Sequence, residues 1–305
     1  MIEKSRSIDT MAMAVLVLGI VFIIGPLYLM LANASQSYEH FVRDGFAWYP
    51  GTHFFSNIYK VFTETKIPAQ MLNSLIVAFS LAISTTVLSF MTAFALVYFN
   101  ARWVGFIFAF LLLTIMLPLD IRIITTYQVT ANVLSPLEAL LDVTGLNGVV
   151  ASIFGAPLTV EWNLLDTHLG LILPLIGHGA GTFLFRQFFR TLPPDLFKAA
   201  RMDGAGPIRF LVDILLPLSR SSFAALFVLS FLGGWTLYLW PLVATSKPEM
   251  QTAIVGIARL IPAGDSEVPN YPVIMAGVVV VSLVPLTIIA FLQRFLVQGL
   301  VLSEK

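Results

Sequence analysis

The chain has 305 residues, 58% hydrophobic and 11% charged, and its mean hydropathy of +0.89 lies outside the range of soluble globular domains. Its 17 lysines and arginines balance 17 aspartates and glutamates, so a nucleic-acid partner has no electrostatic support. Cysteine is absent, which excludes disulfides, zinc–cysteine centres and thiol nucleophiles.

A helix that crosses a hydrocarbon core needs about 20 apolar residues. Lipid offers the backbone no outside partner, so such runs must be helical. Runs at 11–32, 71–99, 103–119, 168–185, 221–245 and 271–292 meet or approach that length, and no ten-residue alternation suggests a barrel strand. The third is short, and the apolar stretch beyond Pro118 would extend it as a broken helix. Lys4, Arg6 and the run ending at Ala32-Asn33-Ala34 mimic a signal peptide. At about 22 residues, however, the run exceeds the 7–15 of such a segment, and an uncleaved first helix is expected.

With the N-terminus inside, Lys4, Arg6, Arg102, Arg186, Arg190, Lys198, Arg201, Arg209, Arg220, Arg294 and Lys305 fall on the cytoplasmic side. Only Arg43, Lys60, Lys66, Arg122, Lys247 and Arg259 fall outside. That basic bias places both termini and the 195–217 segment in the cytoplasm.

Between the spans, 35–70 is an outer loop whose stretch from Phe54 to Phe62 is amphipathic and suits the interface. The outer segment 134–167 is too long for a bare connection and should carry structure, including a short helix around Leu137–Asp142 written in the sequence as Leu137-Glu138-Ala139-Leu140-Leu141-Asp142. Gly170, Gly177, Gly179 and Gly181 mark the fourth run as a close-packing helix. Gly233-Gly234-Trp235 and Tyr238-Leu239-Trp240-Pro241 mark a bend at the end of the fifth.

Catalytic and nucleotide motifs are missing: there is no phosphate loop, no H-E-x-x-H and no acidic or histidine metal cluster. Ser74, Ser80, Ser84, Ser89, Thr85 and Thr86 lie in the second run without a catalytic partner, so helix–helix hydrogen bonding accounts for them. Ionisable groups near the membrane are functional candidates because burying them is costly. Asp120 and Arg122, just beyond Leu117-Pro118-Leu119, are either a water-exposed pair or part of a solvated pathway. His178 reads as a packed residue, since a proton relay would need a chain of such groups.

The segment Asp195-Leu196-Phe197-Lys198-Ala199-Ala200-Arg201-Met202-Asp203-Gly204-Ala205-Gly206-Pro207, with Ile214-Leu215-Leu216-Pro217-Leu218 after it, resembles the EAA loop of ABC importer permeases. The likeness extends through Phe183-Leu184-Phe185-Arg186-Gln187-Phe188-Phe189, Trp235-Thr236-Leu237-Tyr238-Leu239-Trp240-Pro241-Leu242 and Gln293-Arg294-Phe295-Leu296. It points to the carbohydrate-type permeases related to the maltose system's smaller membrane subunit. Leu117-Pro118-Leu119-Asp120-Ile121-Arg122-Ile123, Pro50-Gly51-Thr52-His53 and Ser303-Glu304-Lys305 are most similar to glycerol-3-phosphate permeases.

This resemblance implies an all-α integral membrane protein with six transmembrane helices, the type I ABC importer transmembrane domain. Residues 1–70 would be a first helix and outer loop, 71–294 a five-helix domain, and 295–305 a cytoplasmic tail. It implies a non-catalytic subunit in a bacterial inner membrane, binding no cofactor, with ATP and Mg on partner ATPases. Partners would be a second, different permease subunit, two ATPase subunits and an external binding protein. Asp195, Lys198, Ala199, Ala200, Arg201, Asp203, Gly204, Ala205 and Pro217 would couple to the ATPase. Asp120, Arg122, Trp235 and Tyr238 would face the pathway. Two departures stand out: the family glutamate is Lys198 here, and the asparagine after the fifth-helix tryptophan is Thr236. The cargo would be sn-glycerol-3-phosphate or a related glycerophosphodiester. Alternatives are a sugar, oligosaccharide or polyol in the same machine, or a lone proton-coupled carrier.

Overall fold

The computed structural model describes residues 6–99, 102–155, 161–177, 179–262 and 268–301, and all regular structure among them is helical. In chain order the α-helices are α1 (Arg6–Ala34), α2 (Tyr38–Asp44), α3 (Phe54–Glu64), α4 (Ile67–Tyr98), α5 (Val104–Met116) and α6 (Leu119–Ala131). There follow α7 (Ser135–Val143), α8 (Leu146–Phe154), α9 (His168–Ile172), α10 (Gly179–Thr191), α11 (Asp195–Met202) and α12 (Pro207–Phe210). The last are α13 (Leu216–Leu218), α14 (Arg220–Trp235), α15 (Leu239–Ala244), α16 (Ala253–Arg259) and α17 (Tyr271–Val301).

Three stretches among the described residues, Thr10–Ala34, Ile67–Tyr98 and Tyr271–Gln293, are long and apolar enough to cross a membrane unbroken; bent pairs raise the total to as many as seven. The breaks have local causes. Leu117 and Pro118 are extended between α5 and α6, as expected where proline lacks an N–H and pushes its predecessor out of the helical region. Pro174 sits in a 3₁₀ turn after α9. Within the 134–167 segment, α7 and α8 meet at 92° around Gly145, whose φ of +72° favours glycine. The short helix expected there is α7, and a second helix follows it. The last helix runs on to Val301, through most of the stretch expected as a tail.

The described chain divides into two units, 1–69 with 256–284, and 70–255 with 285–305. In the first, two buried asparagines tie the loop after α1. Asn33 donates to Leu29 and Ala47 and accepts from the Ala47 N–H, and Asn57 donates to the carbonyls of Ala34 and Gln36. Helix α3 buries Asn57 and Val61 while Phe55, Tyr59 and Phe62 stay exposed, the amphipathic arrangement expected of an interfacial helix.

The second unit has two apolar centres. One joins Phe90, Ala93 and Phe94 of α4 to Phe185 and Phe189 of α10, Ala200, Phe210, Leu215 and Leu226. The other gathers Val77 and Leu81 around Trp240, Leu171, Ile172 and Ala244. Between α4, α10 and α14 the approach is close: a Cβ on Gly181 would lie 2.5 Å from Ser89 Oγ and 2.8 Å from Leu226 Cδ2. Gly179 is equally pressed against Leu111 and Ile115 of α5. The small residues of the fourth run therefore allow backbone approach, as expected, whereas Gly177 faces open space.

A polar seam that the sequence does not announce crosses the same unit. Asn73 donates to the carbonyls of Glu249 and Gln251 and pairs with His168 Nε2 at 3.1 Å, while the Ala253 N–H donates to Ser74 Oγ. Nearby, Asp166 adopts a left-handed φ of +54° and its carboxylate accepts from Ser246 N, Ser246 Oγ and Lys247 N at 2.6–2.9 Å. Burial pulls the Asp166 carboxyl upward, but the hydrogen bonds from Lys247 and Ser246 outweigh it and hold the group below its ordinary value. A carboxylate lowered on folding stabilises the clamp above its unfolded value and loses that contribution as pH falls through the folded one. Thermal melts of the wild type should therefore weaken on acidification below the usual carboxylate range. Asp166→Asn, which tolerates the left-handed backbone, should flatten that acid limb; an unchanged limb would count against the clamp.

Candidate functional site

Two features of the second unit carry functional geometry. The first is built on α11. Asp195 occupies its first turn and Arg201 its last, each matching the helix dipole. The helix stops in a Schellman turn: Ala205 N–H donates to the Ala200 carbonyl at 2.9 Å and Gly204 N–H to that of Arg201 at 3.1 Å. Gly204 has a φ of +77°, which a Cβ-bearing residue rarely adopts. Pro207 then opens α12, where its missing N–H costs nothing.

One face of this helix–turn–helix is anchored. Ala200 is 5% exposed, and Phe197 meets the rings of Phe210 and Tyr98 at 5.0 and 5.2 Å. The other face is open, with Met202 82% and Ile208 76% exposed, beside Asp195, Lys198 and Arg201. Lys198 Nζ lies 3.0 Å from Asp195 Oδ1, an exposed pair one turn apart. Lys198, where the resemblance leads one to expect glutamate, thus has its ion-pair partner within its own helix. Exposed pairs contribute at most about 1 kcal/mol. Lys198→Ala should accordingly leave thermal stability unchanged within that margin; a large fall in melting temperature would give Lys198 a folding role. Asp203 caps α11 through its backbone N–H to Ala199, and Ala199 itself lies next to buried Ala200.

After α12 the chain widens into a π-turn, Leu211–Leu215, immediately before Pro217. Proline offers no N–H for an α-type bond to the carbonyl four residues back. The turn absorbs that gap, and the helix resumes with Ser219 N–H donating to Leu215 at 3.0 Å. The segment 207–218 meets α14 at 79°.

The second feature is a cavity of about 490 Å³ walled mainly by Leu81, Leu117, Pro118, Leu175, Leu226 and Leu237. Thr85, Thr114 and Ser230 add hydroxyls, and Arg122 adds a cation. Arg122 sits on the first turns of α6, where the break at Pro118 redirects the chain; its Nε is enclosed and has no hydrogen-bond partner. Its backbone carbonyl accepts from Thr125 and Thr126. Asp120 is in the same helix, but its side chain lies outside the described residues, as does His178. Trp235, expected in the pathway, is 2% exposed and stacks on Phe231 at 6.1 Å, while its neighbours Gly234 and Leu237 line the cavity. Tyr238 caps α15 and is 41% exposed, and Thr236 returns its hydroxyl to the Leu232 carbonyl. The glycines and Ser230 that line this cavity were not legible as such, because nothing in the local pattern distinguishes them from packing positions. No group of three or more His, Asp or Glu side chains that would hold a metal occurs among the described residues.

Broken membrane helices around a largely apolar cavity with a few polar groups, beside an amphipathic helix–turn–helix, are an arrangement suited to a transport component. Residues 85–301 match the family model described as binding-protein-dependent transport system inner membrane component, and the chain belongs to that family. It is thus a non-catalytic, multi-pass inner-membrane permease component that works with ATPase and binding-protein partners. Two full-length relatives are sn-glycerol-3-phosphate transport system permease proteins UgpE. That of Yersinia pestis bv. Antiqua is 35% identical over 311 residues and that of Agrobacterium fabrum 36% over 313, each alignment covering all of both chains. The fold is similar to a chain in the crystal structure of a bacterial ABC transporter that imports the acidic polysaccharide alginate. The TM-score there is 0.67 at 19% identity, over 95% of this chain and 97% of that one.

Proposed function

We propose that this chain forms half of the translocation pathway of an ATP-driven importer for sn-glycerol-3-phosphate or a related glycerophosphodiester. A second, different permease subunit supplies the other half, two ATPase subunits engage the 195–217 segment, and both termini are cytoplasmic. An external binding protein delivers the cargo. Closure of the ATPase pair pushes on the open face of α11, and the aromatic anchor of Phe197 and Phe210 passes that push to α4 and α10 as a rigid body.

The observation that carries the substrate reading is Arg122, a guanidinium with an unpartnered Nε on a cavity that otherwise offers three hydroxyls among apolar side chains and glycines. A planar guanidinium suits a phosphate ester, and the hydroxyls suit a polyol. The full-length relatives named for sn-glycerol-3-phosphate support the same cargo. In the reconstituted assembly with its binding protein, sn-glycerol-3-phosphate should stimulate ATP hydrolysis where neutral sugars do not. Arg122→Gln should raise the apparent substrate constant about tenfold, the worth of one charge-assisted hydrogen bond. Stimulation by a neutral sugar alone would overturn the cargo, and an unchanged constant would remove Arg122 from the pathway.

A further inference from the structure

The second half of α10, which leads into α11, carries two arginines one turn apart, Arg186 and Arg190. Helices α5 and α10 run antiparallel there: Gly179 abuts Leu111 and Ile115, Phe183 stacks on Phe108 at 6.4 Å, and the guanidinium carbon of Arg186 lies 3.7 Å from the centre of the Phe108 ring. That order brings the start of α5, with Arg102 over the Trp103 ring at 4.8 Å, to the same end as Arg190. Neither Arg186 nor Arg190 pairs with a carboxylate among the described residues, and Arg186 Nε is enclosed without an acceptor. Like charges one turn apart repel weakly, and an anion from outside the chain would relieve that repulsion. The surrounding surface is membrane-facing in character, with Trp103 57%, Phe106 68% and Phe110 59% exposed.

We propose that Arg186 and Arg190, with Phe108 as the platform that orients the first guanidinium, form a binding site for the phosphate headgroup of an anionic phospholipid. The cation–π contact at 3.7 Å restricts the Arg186 head against the ring, and its guanidinium keeps N–H donors for a phosphate. Arginine stems in such positions can cover apolar surface while their heads reach a headgroup layer. Basic pockets between helices on the cytoplasmic side are suited to such headgroups. Assignment to the cytoplasmic leaflet rests on the orientation proposed above, but binding itself does not depend on the cargo.

The test uses the complete assembly in nanodiscs of phosphatidylcholine with a minority of phosphatidylglycerol, read by native mass spectrometry for retained lipid. Wild type should keep phosphatidylglycerol selectively, and R186Q/R190Q should lose that selectivity on the order of tenfold. R186K/R190K keeps the charge without the planar fork and should fall between them, which separates headgroup recognition from misfolding. Equal retention in wild type and R186Q/R190Q would overturn the site. So would loss of the second permease subunit from the R186Q/R190Q preparation, because the anion would then be a carboxylate of that partner. Displacement of the lipid by millimolar inorganic phosphate or sn-glycerol-3-phosphate would also overturn it, in favour of a free anion. Unaltered cargo preference in R186Q/R190Q, with lipid selectivity gone, would leave the importer reading standing and confirm that the two sites are separate.

Discussion

Gly204→Pro should abolish ATP-dependent uptake while the chain still inserts in the membrane at normal abundance. Gly204 has a φ of +77°, and proline is confined near −65°. Proline would also delete the N–H that closes the turn on the Arg201 carbonyl at 3.1 Å. No heavy atom lies within 4 Å of the position a Cβ would take, so side-chain crowding is not the issue, and among variants that keep the N–H the response should follow backbone preference. Gly204→Asn, which visits the left-handed region readily, should keep most activity. Gly204→Ala should lie between, at a cost of about 1–2 kcal/mol to the turn. Uptake measured in vesicles, alongside membrane abundance, distinguishes the three. Normal transport by the proline variant would remove the turn from the coupling path, and equal loss in the asparagine variant would show that something other than φ is at stake.

That turn was the most legible part of the molecule, because a Gly-broken polar segment between apolar runs has few physical interpretations. The spans were legible as runs but less so as helices. Proline at 118 and 174 predicts interruption, yet whether the chain bends or ends there depends on the neighbours it meets. The single helix expected at 168–185 is accordingly α9, a 3₁₀ turn and α10. Arg122 was readable as an ionisable residue beside a proline break, and the cavity places it as the notable cation on that wall. Trp235 was singled out by its motif, but its ring serves packing against Phe231. The Asn73–His168 pair joins residues 95 positions apart, and no local pattern encodes such a partner. The same holds for Arg186 on Phe108, where the sequence shows a basic residue near a membrane edge and only the fold supplies the ring beneath it.

Ala200→Asp tests the buried side of the same helix and should be at least as damaging as the proline. Ala200 is 5% exposed and belongs to the cluster that includes Phe94, Phe185, Phe189 and Phe210, with no basic group among its buried members. A carboxylate there would be left unpaired in an apolar site, at a cost of several kcal/mol, and the protein would escape it by protonation or by lifting α11 away. Lifting α11 breaks the link between its exposed face and α4 and α10, whereas the spans themselves remain apolar and insert. Uptake should therefore vanish with membrane abundance retained, and protease accessibility at Arg201 should rise. Ala200→Ser is the decisive companion. Its hydroxyl can return to a carbonyl of its own helix, so it should transport near wild-type rate. If Asp at this position supported normal uptake, the aromatic anchor would not be the element through which force reaches the membrane helices.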